Sequence, residues 1–153
     1  MFSTARKKAR AALLEEAKRQ MYRKQVVFAE DNRPVSSVKA LYSELNKELF
    51  EGLLPAIEVK MNGRLQRTLG KAFYVVQSGG KFKPVRIEIK KSHKWSARFL
   101  RKVMTHEMCH VWAYHFHNEK GHGPKFWSKM KMLGYPKTHC WDDALPCEKD
   151  VWS

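Results

Sequence analysis

The stretch His106-Glu107-Met108-Cys109-His110 decides the fold, because it lies in the middle of a segment, residues 97–117, whose apolar spacing predicts one long helix. Ser96 precedes that segment and suits the position that caps a helix N-terminus. Positions i and i+4 of an α-helix lie on the same face one turn apart, so the two histidines would point their imidazoles the same way. Glu107 lies one step round the helix. The H-E-x-x-H pattern therefore predicts two zinc ligands and a general base.

A catalytic zinc ion takes three protein ligands and leaves one position open for water, so the chain should supply a third ligand. His122 is the preferred candidate, because Gly121 and Gly123 on either side of it allow a tight loop to turn back toward the helix. His117 would face the same side as His110 but about 10 Å further along the axis. The remaining histidines are expected to be surface or core groups: His93, His115 and His139.

Positive charge is concentrated in two parts of the chain, whose formal net charge is +15. Residues 1–25 carry eight Lys and Arg against two acids, and residues 61–102 carry twelve against one. Such asymmetry favours a nucleic-acid partner over a uniformly solvated surface. Trp95 could stack on an unpaired base, although an aromatic residue at a helix entrance more often packs as a hydrophobic staple. The candidate phosphate contacts are Arg64, Arg67, Lys71, Lys81, Lys83 and Arg86.

The pattern of the whole chain predicts an α+β fold. Helices are predicted at residues 4–25, from Ser36 or Ser37 to about residue 51, at 97–117 and at 125–133, and strands at 57–61, 68–77 and 85–90. We expect a small, mainly antiparallel sheet of about three strands packed with the histidine helix and flanking helices. Residues 1–34 are predicted to form a basic N-terminal helix and linker, and residues 35–153 a compact domain with a short aromatic tail.

Some classes of protein are disfavoured by composition. No apolar run approaches the length of a membrane span, and the first residues lack the apolar core of a secretory signal. The three cysteines, Cys109, Cys140 and Cys147, form no disulfide framework, which fits a reducing compartment. A cytoplasmic monomer that does not bind membranes is expected. Cys140 and Cys147 are more readily interpreted as small buried groups than as ligands, with His139, of a second zinc ion.

Two segments in order, VMTHEMCHVW at residues 103–112 and GHGPKF at 121–126, resemble the SprT-like metalloprotease family, as does the predicted helix and LLP turn of residues 41–55. The resemblance covers about residues 36–136. It implies a minimal zincin-like metalloprotease domain with one zinc ion on His106, His110 and His122, and with Glu107 activating a zinc-bound water. It also implies DNA as a partner and proteins bound or crosslinked to DNA as substrates. We further expect the DNA partners to include single-stranded regions, and the protein to be associated with DNA in the nucleoid or nucleus. The chain lacks the C-terminal C-x-x-C pairs that many members of the family carry.

Three functions follow from these observations. The first is a zinc-dependent endopeptidase acting on DNA-bound proteins, the second a DNA-binding protein with a structural or inactive metal site, and the third a metallopeptidase with soluble substrates. Glu107 favours an enzyme, since a structural site needs no base. The residue that stabilises the oxyanion stays open among four candidates: Tyr74, His93, Tyr114 and Tyr135.

Overall fold

A computed structural model describes residues 4–29 and 31–135 of the chain, with only the backbone described for residues 17–29. The tail that contains His139, Cys140 and Cys147 lies outside the described residues. The elements follow in the order α1 (Thr4–Ala29), α2 (Val38–Leu49), β1 (Glu58–Asn62), β2 (Gly70–Val76), a short 3₁₀ turn (Ser78–Gly80), β3 (Phe82–Lys90), α3 (Ala97–His117) and α4 (Pro124–Met132). The predicted α+β class and the three predicted strands are confirmed.

The sheet is mixed rather than mainly antiparallel, because the central strand, β3, has one parallel and one antiparallel neighbour. β1 pairs with it in parallel, with Val59 opposite Ile87, and β2 pairs with it antiparallel, with Ala72 opposite the same Ile87. The hairpin formed by β2 and β3 therefore carries the chain back to the side of β1. Hydrophobic alternation predicts where each strand lies in the chain but not which strand it pairs with, so the order β1-β3-β2 could not be predicted from the sequence.

The third strand begins at Phe82, three residues earlier than predicted, although Pro84 lies inside it. Proline cannot donate a ladder hydrogen bond and belongs at sheet edges or bulges. Pro84 lies at an edge, because the pairing of β1 with β3 extends only as far as Arg86. It also lies next to a bulge, because the β2–β3 register shifts between Phe73 and Tyr74. Around Pro84, β3 is paired on one side only.

Helix α3 packs against β2 and β3 of the sheet and contacts both α4 and α2, while α2 also packs against β1. Ser96 accepts a hydrogen bond from the Phe99 N–H at the N-terminus of α3, and Ser37 accepts one from Ala40 at the N-terminus of α2, as predicted for both caps. Asn118 ends α3 in the left-handed conformation, with φ of 48°. The core side chains of α3 with no exposed surface are Val103, Met104, Met108, Cys109, Val111 and Ala113.

An ionic cluster fastens residues 31–33 to the domain. Arg101, only 2% exposed on α3, donates to the Arg33 carbonyl oxygen at 3.1 Å and pairs with Asp31 at 3.5 Å and with Glu44 at 3.2 Å. Arg33 also binds Asp31 and Glu48. Hydrogen bonds from Arg33 hold the pKa of the Asp31 carboxyl below its usual value, against the opposing effect of burial. Residues 31–33, predicted to be linker, thus contact α2 and α3, and the predicted boundary at residue 34 stays a prediction.

Helix α1 is longer than predicted, since it continues to Ala29, and its side chains from Thr4 to Glu16 are exposed. In the described part of the chain, no helix combines the length and apolar content needed to cross a membrane.

The Arg101 cluster gives a prediction for stability. Arg101→Met should lower the free energy of unfolding by about 3 kcal/mol, because it leaves the carboxylates of Asp31 and Glu44 without their buried cation. Urea unfolding followed by circular dichroism measures this. Lys60→Met, which breaks an exposed pair with Glu58, is the control and should cost less than about 1 kcal/mol. Equal losses in the two variants would contradict a structural role for Arg101.

Candidate metal centre

The two histidines of the central motif are held by the most buried part of α3. His106 is 2% exposed and His110 is 3% exposed, and their ring centroids lie 5.1 Å apart. The ring of Phe126 from α4 lies against both, 4.3 Å from the His110 ring and nearly parallel to it. Because the helix is packed on all sides, the two imidazoles are fixed in direction by the core itself.

The third imidazole comes from the loop between α3 and α4. Gly121 has φ of +70°, a conformation that side chains rarely adopt, and this turn returns the chain toward α3. His122 Nε2 then lies 3.2 Å from His106 Nε2, and one ligand atom from each of His106, His110 and His122 falls within 4.8 Å of the others. The structure therefore brings together the three histidines that the sequence analysis selected.

This donor set fits a metal ion. Two nitrogen ligands at 2.0–2.1 Å from a tetrahedral zinc ion lie about 3.3 Å apart, close to the spacing of the His106 and His122 nitrogens. Among the residues that the structure describes, the cluster holds three imidazoles and no fourth ligand, which matches a centre with one open position. His122 is exposed, so that position can meet solvent. Imidazole also suits copper, iron and nickel, so the geometry favours a metal without naming it.

The other described histidines lie away from this cluster. His115 contacts Phe116 and His117 contacts Trp112, while His93 lies near the N-terminal end of α3 against Trp95 and Phe99. These placements agree with their interpretation as surface or packing groups. Cys109 is fully buried, and burial raises the pKa of its thiol, as expected for a packed helix residue.

Glu107 has no exposed surface and lies where α3 meets the start of β2. A Cβ atom at Gly70 would be 3.0 Å from Glu107 Cγ and 3.1 Å from Val103 Cγ1. Such contacts are tighter than most Cβ contacts, so a side chain at position 70 would require Glu107 or Val103 to move by a few tenths of an ångström. Sequence reasoning missed this residue, although a glycine inside a strand pattern is a recognised signal of close backbone approach.

Of the four candidates for oxyanion stabilisation, Tyr114 lies one turn past His110 on α3 and contacts its ring. Its ring stacks 6.1 Å from that of His110, and its hydroxyl donates to the Ala72 carbonyl oxygen at 3.5 Å. Burial, with smaller contributions from Glu107 and Tyr74, raises the pKa of Tyr114, so its proton is retained at neutral pH. Tyr74 lies behind it at 4.8 Å, His93 is near the other end of α3, and Tyr135 is buried just after α4.

The candidate phosphate contacts do not form one cluster. Lys71 and Arg86 lie on the face of the sheet that points away from α3, each against the Phe73 ring. The register also places Lys60 and Lys90 on this face. These two additional lysines were not selected from the sequence; we call the four basic residues with Phe73 the outer sheet face. The other candidates are elsewhere: Arg64 and Arg67 in the exposed loop after β1, Lys83 exposed on β3, and Lys81 bonded to the His115 carbonyl oxygen.

Trp95 is a packing residue in this structure. Its indole N–H donates to the Lys90 carbonyl oxygen at 2.8 Å, and its ring stacks on Phe99 at 5.7 Å. It also lines an open cavity of about 450 Å³ between the N-termini of α2 and α3. A stacking role on DNA stays a prediction.

Comparison with known proteins places these features in a family. A family model described as the SprT-like family matches residues 38–144. The chain is 28% identical over 103 residues to the DNA-dependent metalloprotease SPRTN of Homo sapiens, a match that covers 65% of this chain and 21% of that protein. For the SPRTN proteins of Xenopus tropicalis and Rattus norvegicus the identity is 29% over 103 residues, covering 65% of this chain and 23% and 20% of those proteins. The chain thus spans about a fifth of the length of the curated relatives it matches.

Proposed function

The chain belongs to the SprT-like family, and on this premise we propose that it is a zinc-dependent endopeptidase that hydrolyses proteins bound or crosslinked to DNA. The observation that carries the proposal is the cluster of three imidazoles together with the fully buried Glu107. Glu107 follows His106 on α3, the helix that also carries His110. Three neutral ligands and an adjacent base are the parts of a hydrolytic zinc centre. The names of the similar proteins supply the link to DNA and to proteolysis.

His106, His110 and His122 would hold the zinc ion. When bound, zinc supplies Lewis-acid polarisation of the scissile carbonyl and makes water more acidic. Glu107 would take a proton from the attacking water and later deliver it to the leaving amine. Gly70 holds the β2 backbone against Glu107, which limits the directions that the carboxylate can take. Tyr114, which keeps its proton and lies beside His110, is the preferred partner for the developing oxyanion, to which its hydroxyl would donate in place of the Ala72 carbonyl oxygen.

The outer edge of β2 is the proposed binding site for an extended peptide substrate. β2 is an edge strand of the sheet, and its first residue, Gly70, is the one next to Glu107. A peptide that paired with the outer edge of β2 would run past Gly70 and therefore close to Glu107. Recognition through backbone hydrogen bonds needs little side-chain specificity, which suits an enzyme that meets different DNA-bound proteins.

The proposed DNA surface is the outer sheet face. Lys60, Lys71, Arg86 and Lys90 share it, and Glu58 and Glu88 balance part of their charge. The basic N-terminal helix adds a second source of positive charge. We also propose that the protein is a cytoplasmic monomer that associates with DNA in the nucleoid or nucleus. Single-stranded regions of DNA are proposed to be among its partners.

The alternative function is DNA binding with a metal site that is structural or inactive. The basic stretch before α3 supports this alternative equally well, but it leaves the burial of Glu107 at the histidine cluster without a purpose. A peptidase with soluble substrates is the third candidate, and it would show the same activity with and without DNA.

Replacement of the base tests the enzymatic proposal. Glu107→Gln keeps the size of the side chain but cannot accept the proton, so cleavage of a protein on DNA should fall by about 10²–10⁴-fold. Metal analysis should still find about one zinc ion per chain. Glu51→Gln, exposed in the turn after α2, is the matched control and should cleave like the unchanged protein. Retained cleavage by the Glu107 variant would show the mechanism to be wrong.

Salt dependence tests the DNA surface. The double variant Lys71→Ala/Arg86→Ala should reduce the slope of log K against log salt concentration by about 1.5, because two phosphate contacts are lost. The charge-matched control Lys39→Ala/Lys47→Ala removes two exposed lysines from α2 and should leave the slope unchanged. Equal effects of the two pairs would mean that binding follows net charge and not this surface.

A further inference from the structure

The loop that carries His122 is fastened by a residue with no assigned role, Glu119. One carboxylate oxygen, Oε2, accepts the backbone N–H of Lys125 at 3.1 Å, and the other, Oε1, accepts that of Phe126 at 2.9 Å. These two N–H groups belong to the first turn of α4, where a helix has no partners of its own for them. The contact joins the end of α3 to the start of α4 and encloses the His122 turn between them.

Helix α4 depends on this outside carboxylate because its own sequence lacks a cap. The residue at the capping position is Gly123, which has no side chain to offer, and the first turn contains no acidic residue. An anion at a helix N-terminus is favoured both by the free N–H groups and by the helix dipole. Glu119 supplies that anion from four residues before the cap.

The backbone of Glu119 is itself fixed to α3. Its N–H donates to the Ala113 carbonyl oxygen at 3.1 Å, and the preceding residue, Asn118, binds the β2–β3 hairpin through the Phe82 N–H and the Gly80 carbonyl oxygen. The carboxylate is therefore anchored at one end to the helix that carries His106 and His110. At the other end it holds the element that follows His122.

Gly123 is matched to this carboxylate. A Cβ atom there would lie 2.6 Å from Glu119 Cδ and within 2.9 Å of both carboxylate oxygens. The backbone of Gly123, with φ of −80° and ψ of −176°, is one that any residue adopts. Glycine at this position is explained by the space that the Glu119 carboxylate occupies and not by backbone conformation.

We propose that Glu119 is a positioning residue for the third metal ligand: its carboxylate, seated against Gly123, sets where His122 lies relative to the imidazoles on α3. The proposal rests on the proposed metal centre, but it concerns metal affinity and not peptide hydrolysis. Partners that orient metal ligands typically change affinity by about 10–100-fold when removed.

The first measurement is zinc affinity by competition with a chromogenic chelator. Glu119→Ala should weaken zinc binding by about 10–100-fold. Lys120→Ala, which removes an exposed charge from the same loop, is the control and should bind zinc like the unchanged protein. An unchanged affinity in Glu119→Ala would overturn the proposal.

A double-mutant cycle tests the geometry directly. Gly123→Ala alone should also weaken zinc binding by about 10-fold or more, because the new methyl group displaces the carboxylate. In the Glu119→Ala background the methyl group has room, so the same Gly123→Ala change should alter the affinity by less than about 3-fold. Full additivity of the two changes would show that the carboxylate and the glycine act separately and would overturn the proposal.

A spectroscopic readout separates positioning from loss of fold. With a chelator present, the metal-free Glu119→Ala protein should keep the circular dichroism spectrum of the unchanged protein. Its Co²⁺ form, in contrast, should lose visible absorption intensity, because the third imidazole is displaced from a four-coordinate site. An unchanged Co²⁺ spectrum with weaker binding would contradict the proposal. None of these measurements requires proteolysis, so they stand if the enzymatic function fails.

Discussion

The structure depends on one constraint: a single helix is both the centre of the core and the carrier of two of the three clustered histidines. Along α3, apolar side chains with no exposed surface, such as Met104 and Met108, alternate with His106, Glu107 and His110, which are almost equally buried. Polar groups are costly to bury unless they are paired or bind a cation. The apolar contacts that stabilise the domain therefore also fix the direction of the imidazoles, and a bound cation would offset the burial of the Glu107 carboxylate.

Two glycines and a buried arginine join the surrounding segments to this helix. Gly70 lets β2 approach Glu107, and Gly121 turns the loop that presents His122. Arg101, from an earlier turn of α3, ties residues 31–33 to the domain through Asp31 and Glu44. Each of these residues connects a peripheral segment to α3, so the periphery is arranged by the same helix that carries His106 and His110.

The sequence predicted the parts of this arrangement that are encoded locally. The bounds of α3 followed from Ser96 and from the apolar spacing, and the choice of His122 followed from its flanking glycines. The order of the strands, the burial of Arg101 and the contact of Gly70 with Glu107 could not be predicted, because each depends on a partner distant in the chain. A basic residue inside a helix usually indicates a solvated face, and nothing near Arg101 in the sequence signals otherwise. The end of α1 was missed for a different reason, since Val26 and Val27 fit helix and strand equally well.

The central claim is that α3 and the following loop form one metal centre with three imidazole ligands and an open position. Zinc K-edge X-ray absorption on the full chain, loaded with one equivalent of zinc, tests it most directly. The expected result is three imidazole nitrogens at about 2.0–2.1 Å with one further oxygen and no sulfur. Sulfur scattering at about 2.3 Å, or fewer than three imidazoles, would contradict the claim.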